Sequence, residues 1–364
     1  MRVLLCGGGT EGHIAPSLAL AEKMEANGDA FLFVGRKGGE ENKKVLARSY
    51  PYLPIDIRSP ASYRYYKKPL FLRSLYHSIK ESQSIIDSFK PDAIFATGGY
   101  VSFPPLFVGN KRNIPIFLHE SNAIAGTTCK LLSKYAKILF LGMPGTEENF
   151  RYKKETMYVG TPTREAFFQK NKARAKRKLG FEDEFVILSF GGSLGASKLN
   201  EVCLKIMEKY KRIDGVAHIH ATGKRYFSDI QKRGRISVFE GKCRAVPFID
   251  CMEDYLLSAD VVICRAGAAS ISEILATGTY PIFIPSPNVK NNHQYHNAIA
   301  ISKLAQTPVV CEDDNLFENL IERIEYVRTH PLEQMKTTCT LRKLSTPECA
   351  NTILKEMRNV VYHM

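Results

Sequence analysis

The chain has 364 residues, of which 44% are hydrophobic and 24% charged, and its formal net charge is +14. Because a globular domain usually holds about 100–200 residues, this length predicts two domains, and the composition excludes a disordered chain. The apolar runs fall short of the roughly 18 residues that span a bilayer, and the N-terminus lacks a secretory signal pattern. The basic excess attracts polyanions without choosing among nucleic acid, anionic lipid and phosphorylated substrates.

The cysteines are nine in number, and no two of them have CxxC spacing. An odd number without such spacing predicts neither a zinc site nor a disulfide framework, and free cysteines fit a reducing cytoplasm. We expect neither a bound metal nor a cofactor.

Short apolar runs alternate with amphipathic stretches along the chain. The predicted strands are Val3–Cys6, Ala30–Val34, Ala93–Ala96, Pro115–Leu118, Ile138–Leu141, Phe185–Phe190, Ala217–His220, Val261–Cys264 and Pro281–Ile284. Predicted helices include Ile14–Ala26, Leu70–Phe89 and Pro347–Arg358. Alternation of this kind predicts an α/β fold with parallel sheets that helices cover on both faces.

The pattern starts again midway, because a strand that runs into glycines and then a helix opens each half of the chain, at Val3 and at Val186. This is the first step of a doubly wound fold. We predict a Rossmann-like domain over 1–160 and a second over 161–346, with the join near Pro162. The sequence leaves open whether a last helix at about 347–364 packs back on the first domain.

Three glycine clusters follow predicted strands: Gly7–Gly12, Gly98–Tyr100 and Gly191–Gly195. Such loops let a phosphate approach the backbone and the start of the next helix. The first cluster also matches the dinucleotide pattern GxGxxG. An NAD enzyme would carry an acid after the second strand, where this chain has Arg36, a residue that suits a 2′-phosphate. NADP-dependent oxidoreduction therefore stays open, although a duplicated diphosphate site fits a nucleotide-sugar enzyme better.

Six motifs in order resemble those of the MurG family of glycosyltransferases and cover residues 3 to about 300. They are Gly7-Gly-Gly-Thr-Glu-Gly-His13, Gly98-Gly-Tyr-Val-Ser102, His119-Glu-Ser-Asn-Ala-Ile-Ala-Gly126, Gly191-Gly-Ser-Leu-Gly-Ala196, Cys264-Arg-Ala-Gly-Ala-Ala-Ser-Ile-Ser-Glu273 and His293-Gln-Tyr-His-Asn-Ala298. The resemblance implies two facing Rossmann-like domains, the GT-B architecture. It further implies inverting transfer of N-acetylglucosamine from UDP-N-acetylglucosamine to the C4 hydroxyl of the muramyl sugar of lipid I, forming lipid II.

The resemblance also implies roles for individual residues. An inverting transfer needs a base for the acceptor hydroxyl, and His13 matches the proposed base of the family, with Glu120 as a competing candidate. Acceptor contacts are implied for Thr10, Glu11, Gly12 and Asn122. For the donor, the implied contacts are Ser193 for the diphosphate, Arg164 and Arg265 as cations, Ile249 for uracil, Ala268, Ala269, Ser270, Ile271 and Ser272 in the fifth motif, Glu273 for ribose and Gln294 for the sugar.

Some positions depart from the family pattern. Glu11 stands where the family usually has glycine and adds negative charge beside an expected lipid diphosphate. Ser121 and His293 each replace a glutamine, and Thr161 replaces an asparagine near the join. These changes are local and leave Gln294 in place.

Lipid I is anchored in a bilayer, so the resemblance implies a peripheral enzyme at the cytoplasmic face of the cell membrane. The stretch from Tyr63 to Tyr76 mixes basic and apolar residues. We expect it to bury apolar side chains among lipids while its bases meet anionic head groups. The residues concerned are Lys67, Lys68, Leu70, Phe71, Leu72, Arg73 and Leu75.

Two further alternatives remain on sequence grounds. A different membrane-associated GT-B enzyme, such as a diacylglycerol glycosyltransferase, would share the glycine loops and Glu273. A nucleic-acid-binding protein is suggested by charge alone, and the basic run from Lys170 to Lys178 has no interleaved aromatic residues. We therefore interpret that run as a solvated helix and expect no nucleic acid partner.

Overall fold

A computed structural model describes residues 1–8, 11–58, 68–151, 155–169, 171–192, 194–232 and 241–363. The chain divides into two compact units: unit 1 is Met1–Arg164 with Thr346–Met364, and unit 2 is Glu165–Ser345. The chain thus leaves unit 1 slightly after the boundary that we placed at residue 160, and it returns just before residue 347.

Unit 1 is a sheet of seven strands in the order β3-β2-β1-β4-β5-β6-β7, and every neighbouring pair is parallel. Its strands are β1 (Arg2–Cys6), β2 (Ala30–Arg36), β3 (Tyr52–Ile55), β4 (Ala93–Ala96), β5 (Ile116–Glu120), β6 (Ile138–Leu141) and β7 (Glu155–Tyr158). Its helices are α1 (Glu11–Ala26), α2 (Glu40–Leu46), α3 (Lys68–Phe89), α4 (Phe103–Lys111) and α5 (Thr127–Leu132), with α14 (Cys349–Tyr362) added from the end of the chain.

Unit 2 is a parallel sheet of five strands in the order β10-β9-β8-β11-β12. Its strands are β8 (Phe185–Phe190), β9 (Val216–Ala221), β10 (Cys243–Val246), β11 (Val261–Cys264) and β12 (Tyr280–Phe283). Its helices are α6 (Lys172–Leu179), α7 (Ser197–Tyr210), α8 (Lys224–Lys232), α9 (Met252–Ser258), α10 (Ala268–Thr277), α11 (His293–Ala305), α12 (Leu316–Thr329) and α13 (Pro331–Leu344).

Alternate residues of the buried strands supply the two cores of unit 1. Val3 and Leu5 face a cluster with α1 and α14, whereas Leu4 and Cys6 face a cluster with α3, α4 and α5. Successive side chains of a strand point to opposite faces, so an uninterrupted apolar run indicates a sheet covered on both sides. The predicted doubly wound α/β class is confirmed in each unit.

Two chain segments meet where unit 1 ends and where the chain returns to it. Gly160 has φ 78°, and a Cβ there would overlap the side chain of Thr346. The carbonyl of Gly160 accepts a hydrogen bond from Nε2 of the buried His119 at 2.8 Å, and Ser121 Oγ lies 3.2 Å from the other ring nitrogen. Burial lowers the pKa of His119, so the imidazole that bonds to Gly160, where the two segments meet, is neutral.

The last helix, α14, packs on the face of the unit 1 sheet that α1 also covers. Ile353, Leu354 and Met357 are fully buried in that cluster. Arg358 adds an ion pair with Asp29, at 2.5 Å. The apolar burial is the larger contribution, because a half-exposed ion pair is worth only about 0–1 kcal/mol.

We predict that Met357→Ala lowers the free energy of unfolding by about 2–5 kcal/mol, because the truncation leaves a cavity between α14 and α1. Urea unfolding monitored by circular dichroism measures the change. Lys355→Ala, at an exposed position of the same helix, is the matched control. An equal and small effect of both substitutions would show that α14 does not contribute to the core of unit 1.

Candidate active site

The strand order of unit 1 reverses at β1, because the chain first proceeds to β2 on one side and later to β4 on the other. Ligands of open α/β sheets bind beyond the carboxyl ends of the strands at such a point. The first and second glycine loops follow β1 and β4 and therefore lie together there.

These two loops touch through their backbones. A Cβ at Gly99, whose φ is 80°, would overlap the carbonyl oxygen of Gly8, and a Cβ at Gly7 would overlap Oγ1 of Thr97. Only glycine tolerates this approach, since any side chain would push the loops apart. The glycines are therefore required by the packing of the two loops as well as by any ligand.

His13 lies in the first turns of α1, and its ring is oriented by the second loop. Its Nδ1 lies 2.8 Å from the carbonyl oxygen of Thr97. A carbonyl can only accept, so Nδ1 carries the proton and Nε2 is the unprotonated nitrogen of the neutral ring. Thr97 Oγ1 also donates to the carbonyl of His13, so Thr97 bonds to both the ring and the backbone of His13. The arrangement presents an imidazole whose Nε2 is able to accept a proton.

Glu120, the competing candidate base, closes the loop after β5. Its carboxylate is 1% exposed and accepts from the backbone N–H and side-chain amide of Asn122, both at 3.0 Å, and from the N–H of Gly126 at 2.8 Å. Cys129 lies beside it, and burial followed by the Glu120 charge raises the pKa of that thiol. Both carboxylate oxygens are thus engaged in holding the loop, which favours His13 as the base.

Unit 2 repeats this arrangement, with its reversal between β8 and β11. The third glycine loop follows β8, and Gly192 and Gly195 have φ values of 85° and 74°. A Cβ at Gly195 would overlap the carbonyl oxygen of Thr222, so this loop rests on the segment after β9. The loop leads into α7.

The helix after β11, α10, begins at Ala268 with Gly267 as its N-cap, and no side chain caps it. The first N–H groups of such a helix and its dipole favour an anion. Ala269 and Ser270 are half-buried in this first turn, whereas Ala268 and Ile271 are buried. The Ser272 hydroxyl donates to the Ala268 carbonyl at 3.0 Å. Ala268 and Ile271 thus offer a ligand only their backbone.

Glu273 follows on the same helix and is half-buried. Its charge reaches back to the end of β11, where burial first and Glu273 second raise the pKa of Cys264. The carboxylate therefore lies near the carboxyl edge of the sheet, where a nucleotide would bind.

Arg265 is 8% exposed, and its guanidinium has protein partners. It pairs with Glu312 and donates to the carbonyl oxygens of Ile284 and Pro285, at 3.2 and 3.4 Å. A carboxylate already compensates the charge that we had expected to act on departing UDP. These contacts favour a role in joining β11 to the segment after β12.

The remaining predicted donor residues lie on loops and helix starts of unit 2 or at its border. Ile249 is buried in the loop after β10. Gln294 lies in the first turn of α11, and its Oε1 accepts from the Ser286 N–H at 2.8 Å. Arg164 is half-buried and ends the first segment of unit 1. Of the implied acceptor contacts in unit 1, Gly12 lies in the first turn of α1.

Several predicted positions lie outside the described residues. They are Thr10, Ser193 and Lys67, together with the side chains of Glu11 and Lys68.

The proposed membrane segment divides between two environments. Leu70 and Leu72 on α3 are 53% and 62% exposed, and Arg73 is exposed beside them, while Phe71 is half-buried. Leu75 packs on the core cluster below the helix, which corrects the expectation that it meets lipid, since the apolar stripe of α3 faces the sheet there. Within the described residues, no helix combines the length and apolar content needed to cross a membrane.

Sequence reasoning missed two features of the site. Thr97, which orients His13, follows the predicted strand Ala93–Ala96 and belongs to none of the six motifs. A buried set of polar residues on β8 and β9 also escaped notice, although Ser189, His218 and His220 are polar residues inside apolar strands, and that alternation was a usable signal.

Comparisons with known proteins agree over nearly the whole chain. The N-terminal domain of glycosyltransferase family 28 matches residues 3–141, and its C-terminal domain matches residues 186–352. The UDP-N-acetylglucosamine--N-acetylmuramyl-(pentapeptide) pyrophosphoryl-undecaprenol N-acetylglucosamine transferase of Thermoanaerobacter sp. (strain X514) is 32% identical, over 99% of this chain and 100% of the relative. The transferase of the same name from Lactobacillus acidophilus is 31% identical, again over 99% and 100%.

Solved structures share the fold. Acinetobacter baumannii MurG has a TM-score of 0.76 at 24% identity, covering 98% of this chain and 99% of that one. A UDP-GlcNAc 2-epimerase from Neisseria meningitidis, solved with UDP-GlcNAc bound, has a TM-score of 0.68 at 13% identity, covering 99% and 100%. Both likenesses show the two-domain GT-B fold, and the family follows from the sequence relatives instead. The chain belongs to the MurG family of glycosyltransferases, within glycosyltransferase family 28.

Proposed function

We propose that this protein transfers N-acetylglucosamine from UDP-N-acetylglucosamine to the C4 hydroxyl of the muramyl sugar of undecaprenyl-diphosphate-linked N-acetylmuramyl-pentapeptide, with inversion. The product is lipid II of peptidoglycan. The observation that carries the proposal is that relatives named for this transfer match 99% of the chain. A transfer assay with UDP-N-acetylglucosamine and a lipid I analogue tests it directly, and hydrolysis or epimerisation of the donor without transfer would contradict it.

The donor belongs to unit 2 in this proposal. The third glycine loop and the uncapped start of α10 supply N–H groups for the diphosphate, Ile249 supplies backbone groups for uracil, and Glu273 accepts from the ribose hydroxyls. Gln294 contacts the sugar, and Arg164 adds a cation. The half-buried position of Glu273 beside the end of β11 supports this assignment.

The acceptor belongs to unit 1. Its diphosphate binds at the first two glycine loops, with Gly12 and Asn122 among the contacts, and His13 removes the proton of the attacking hydroxyl. The hydrogen bond from Nδ1 to the Thr97 carbonyl supports the base assignment, because it makes Nε2 the nitrogen that carries the lone pair in a neutral ring. The transfer requires no cofactor.

The chain docks on anionic membrane lipids in this proposal, as a peripheral protein of the cytoplasmic face. Leu70 and Leu72 enter the acyl region, while Arg73 meets head groups. Beyond α3, Leu131 on α5, a helix that packs on the same core cluster, is 52% exposed and lies between the exposed Lys130 and Lys134. This mixture of exposed leucines and bases supports a docking surface.

We predict that His13→Ala lowers turnover by about 100-fold or more, because general base catalysis typically contributes 10²–10⁴. The Kd for UDP stays unchanged, since unit 2 holds the donor. Single-turnover transfer and calorimetric titration with UDP measure the two quantities. His363→Ala, at an exposed position of unit 1, is the control. Near-normal turnover of His13→Ala would refute the base assignment.

We predict that Glu273→Ala weakens UDP binding by about tenfold or more, because hydrogen bonds to a charged group contribute about 1.5–3 kcal/mol. Titration of the parent and the variant with UDP and 2′-deoxy-UDP tests the ribose contact. The parent discriminates between the two ligands, and the variant loses that discrimination. Glu322→Ala, an exposed acid on α12, is the control. A variant that discriminates as well as the parent would disprove the contact.

We predict that Leu70→Ser with Leu72→Ser reduces binding to vesicles that contain phosphatidylglycerol, because burying each leucine contributes about 1.5–3 kcal/mol. Co-sedimentation with these vesicles and with pure phosphatidylcholine vesicles measures the effect. Leu332→Ser, in unit 2, is the matched control, since this leucine is 68% exposed. Equal sedimentation of the parent and the double variant would rule out docking through α3.

A further inference from the structure

A buried chain of hydrogen bonds lies in unit 2 beneath the third glycine loop. Ser189 on β8 and His218 and His220 on the neighbouring β9 are all 0% exposed. Ser189 Oγ lies 2.7 Å from Nε2 of His218 and 2.7 Å from Nδ1 of His220. Nε2 of His220 lies 3.1 Å from Oδ1 of Asn200, and Nδ2 of Asn200 donates to the carbonyl oxygen of Thr222 at 2.9 Å.

The donor and acceptor of every hydrogen bond in the series follow from the last bond, which ends at the Thr222 carbonyl. The Thr222 carbonyl only accepts, so the amide nitrogen of Asn200 points to it and Oδ1 faces His220. Nε2 of His220 therefore carries a proton, and its Nδ1 accepts from the hydroxyl of Ser189. With its own hydrogen used, Ser189 accepts from Nε2–H of His218. All the bonds run one way, from His218 to Thr222, and both rings are neutral.

Neutral rings agree with their surroundings. Burial lowers the pKa of His220 to about 4 and that of His218 well below its usual value. Protonation would place an N–H on Nδ1 of His220 against the donating hydroxyl of Ser189. The bonded arrangement is therefore the one present near neutral pH.

The chain of bonds ends under the residues that would hold a diphosphate. The Thr222 carbonyl is the atom that a Cβ at Gly195 would overlap, and a Cβ at Gly223 would lie 2.7 Å from the Gly195 N–H nitrogen. Asn200 itself is in the second turn of α7, and its own N–H bonds to the Ala196 carbonyl at 2.8 Å, at the end of the loop. The amide of Asn200 thus joins the start of α7 to the segment on which the loop rests.

We propose that His220, acting through Asn200, is a positioning residue for the diphosphate of the donor. It contacts no substrate. Through Asn200 it fixes the positions of the Thr222 carbonyl and the first turns of α7, and these two parts hold the third glycine loop between them. The inference rests on the proposed donor site in unit 2. It predicts that loosening the chain of bonds weakens contacts to phosphate and spares contacts to the base and the ribose.

The test compares UDP with uridine, which lacks the diphosphate. We predict that His220→Leu raises the Kd for UDP by about tenfold or more and leaves the Kd for uridine within about twofold of the parent. His220→Gln, which keeps an acceptor and a donor, restores UDP binding to within about threefold. Ser189→Ala removes the bridge with a smaller change of volume and shifts the same ratio in the same direction. His330→Leu, an exposed histidine of unit 2, is the control.

The outcomes separate this inference from the proposed function. A parent protein that fails to bind UDP overturns both. The positioning role alone is overturned if the parent binds UDP but His220→Leu and Ser189→Ala do not change the two affinities differently. That is the case when the Kd values for UDP and uridine rise in equal proportion or when neither rises. Thermal unfolding shows whether each variant folds. If His220→Leu does not fold, the comparison of Ser189→Ala with the parent decides the question. No rescue by His220→Gln in a folded protein also counts against the role.

Discussion

The backbone contact between Gly8 and Gly99 is the constraint on which the rest of unit 1 depends. Two loops that leave adjacent parallel strands can close on each other only when neither carries a side chain at the point of contact. That closeness brings the carbonyl of Thr97 to the ring of His13 and selects its tautomer. A feature that is often explained by the needs of a phosphate is thus equally a condition for orienting an imidazole.

Unit 2 solves the same geometric problem with different chemistry. Its third loop also rests on backbone, at Thr222, but the supporting segment is bonded to the side chain of Asn200 on α7, which bonds in turn to His220 inside the sheet. Polar groups in a core are destabilising unless each one is hydrogen-bonded. Here the hydroxyl of Ser189 and the amide of Asn200 each donate one hydrogen bond and accept another. Nδ1 of His218 is the exception, since it is buried and has no hydrogen-bond partner among the residues that the structure describes.

Much of the fold could be predicted because its central strands are continuous apolar runs. Strands β4, β6, β8 and β11 have the predicted limits. Three other strands escaped prediction for a physical reason: β3, β7 and β10 are three of the four edge strands and are only partly buried, so their apolar character is weak, whereas the fourth edge strand, β12, is fully buried and was predicted. Strand β3 even contains Pro54, which an edge tolerates.

The candidate site was less predictable than the fold. Motifs located the glycine loops, His13 and Glu273, since spacing along the chain preserves them. Motifs did not show that Glu120 closes a loop or that Arg265 pairs with Glu312, because both depend on partners that only folding brings near. Motifs also did not show which apolar residues of α3 are buried. Leu75 lies on the side of the helix that faces the core, whereas Leu72 lies on an exposed side.

A series of hydrogen bonds that all point the same way has a consequence for how the chain can change over generations. Each member between His218 and Thr222 must offer an acceptor on one side and a donor on the other, so a replacement that reverses or removes one of these leaves its neighbour unsatisfied in the core. We therefore expect a replacement at position 189, 200 or 220 to be tolerated alone only when it keeps both a donor and an acceptor, as glutamine does at position 220, and otherwise to need a second change among these positions.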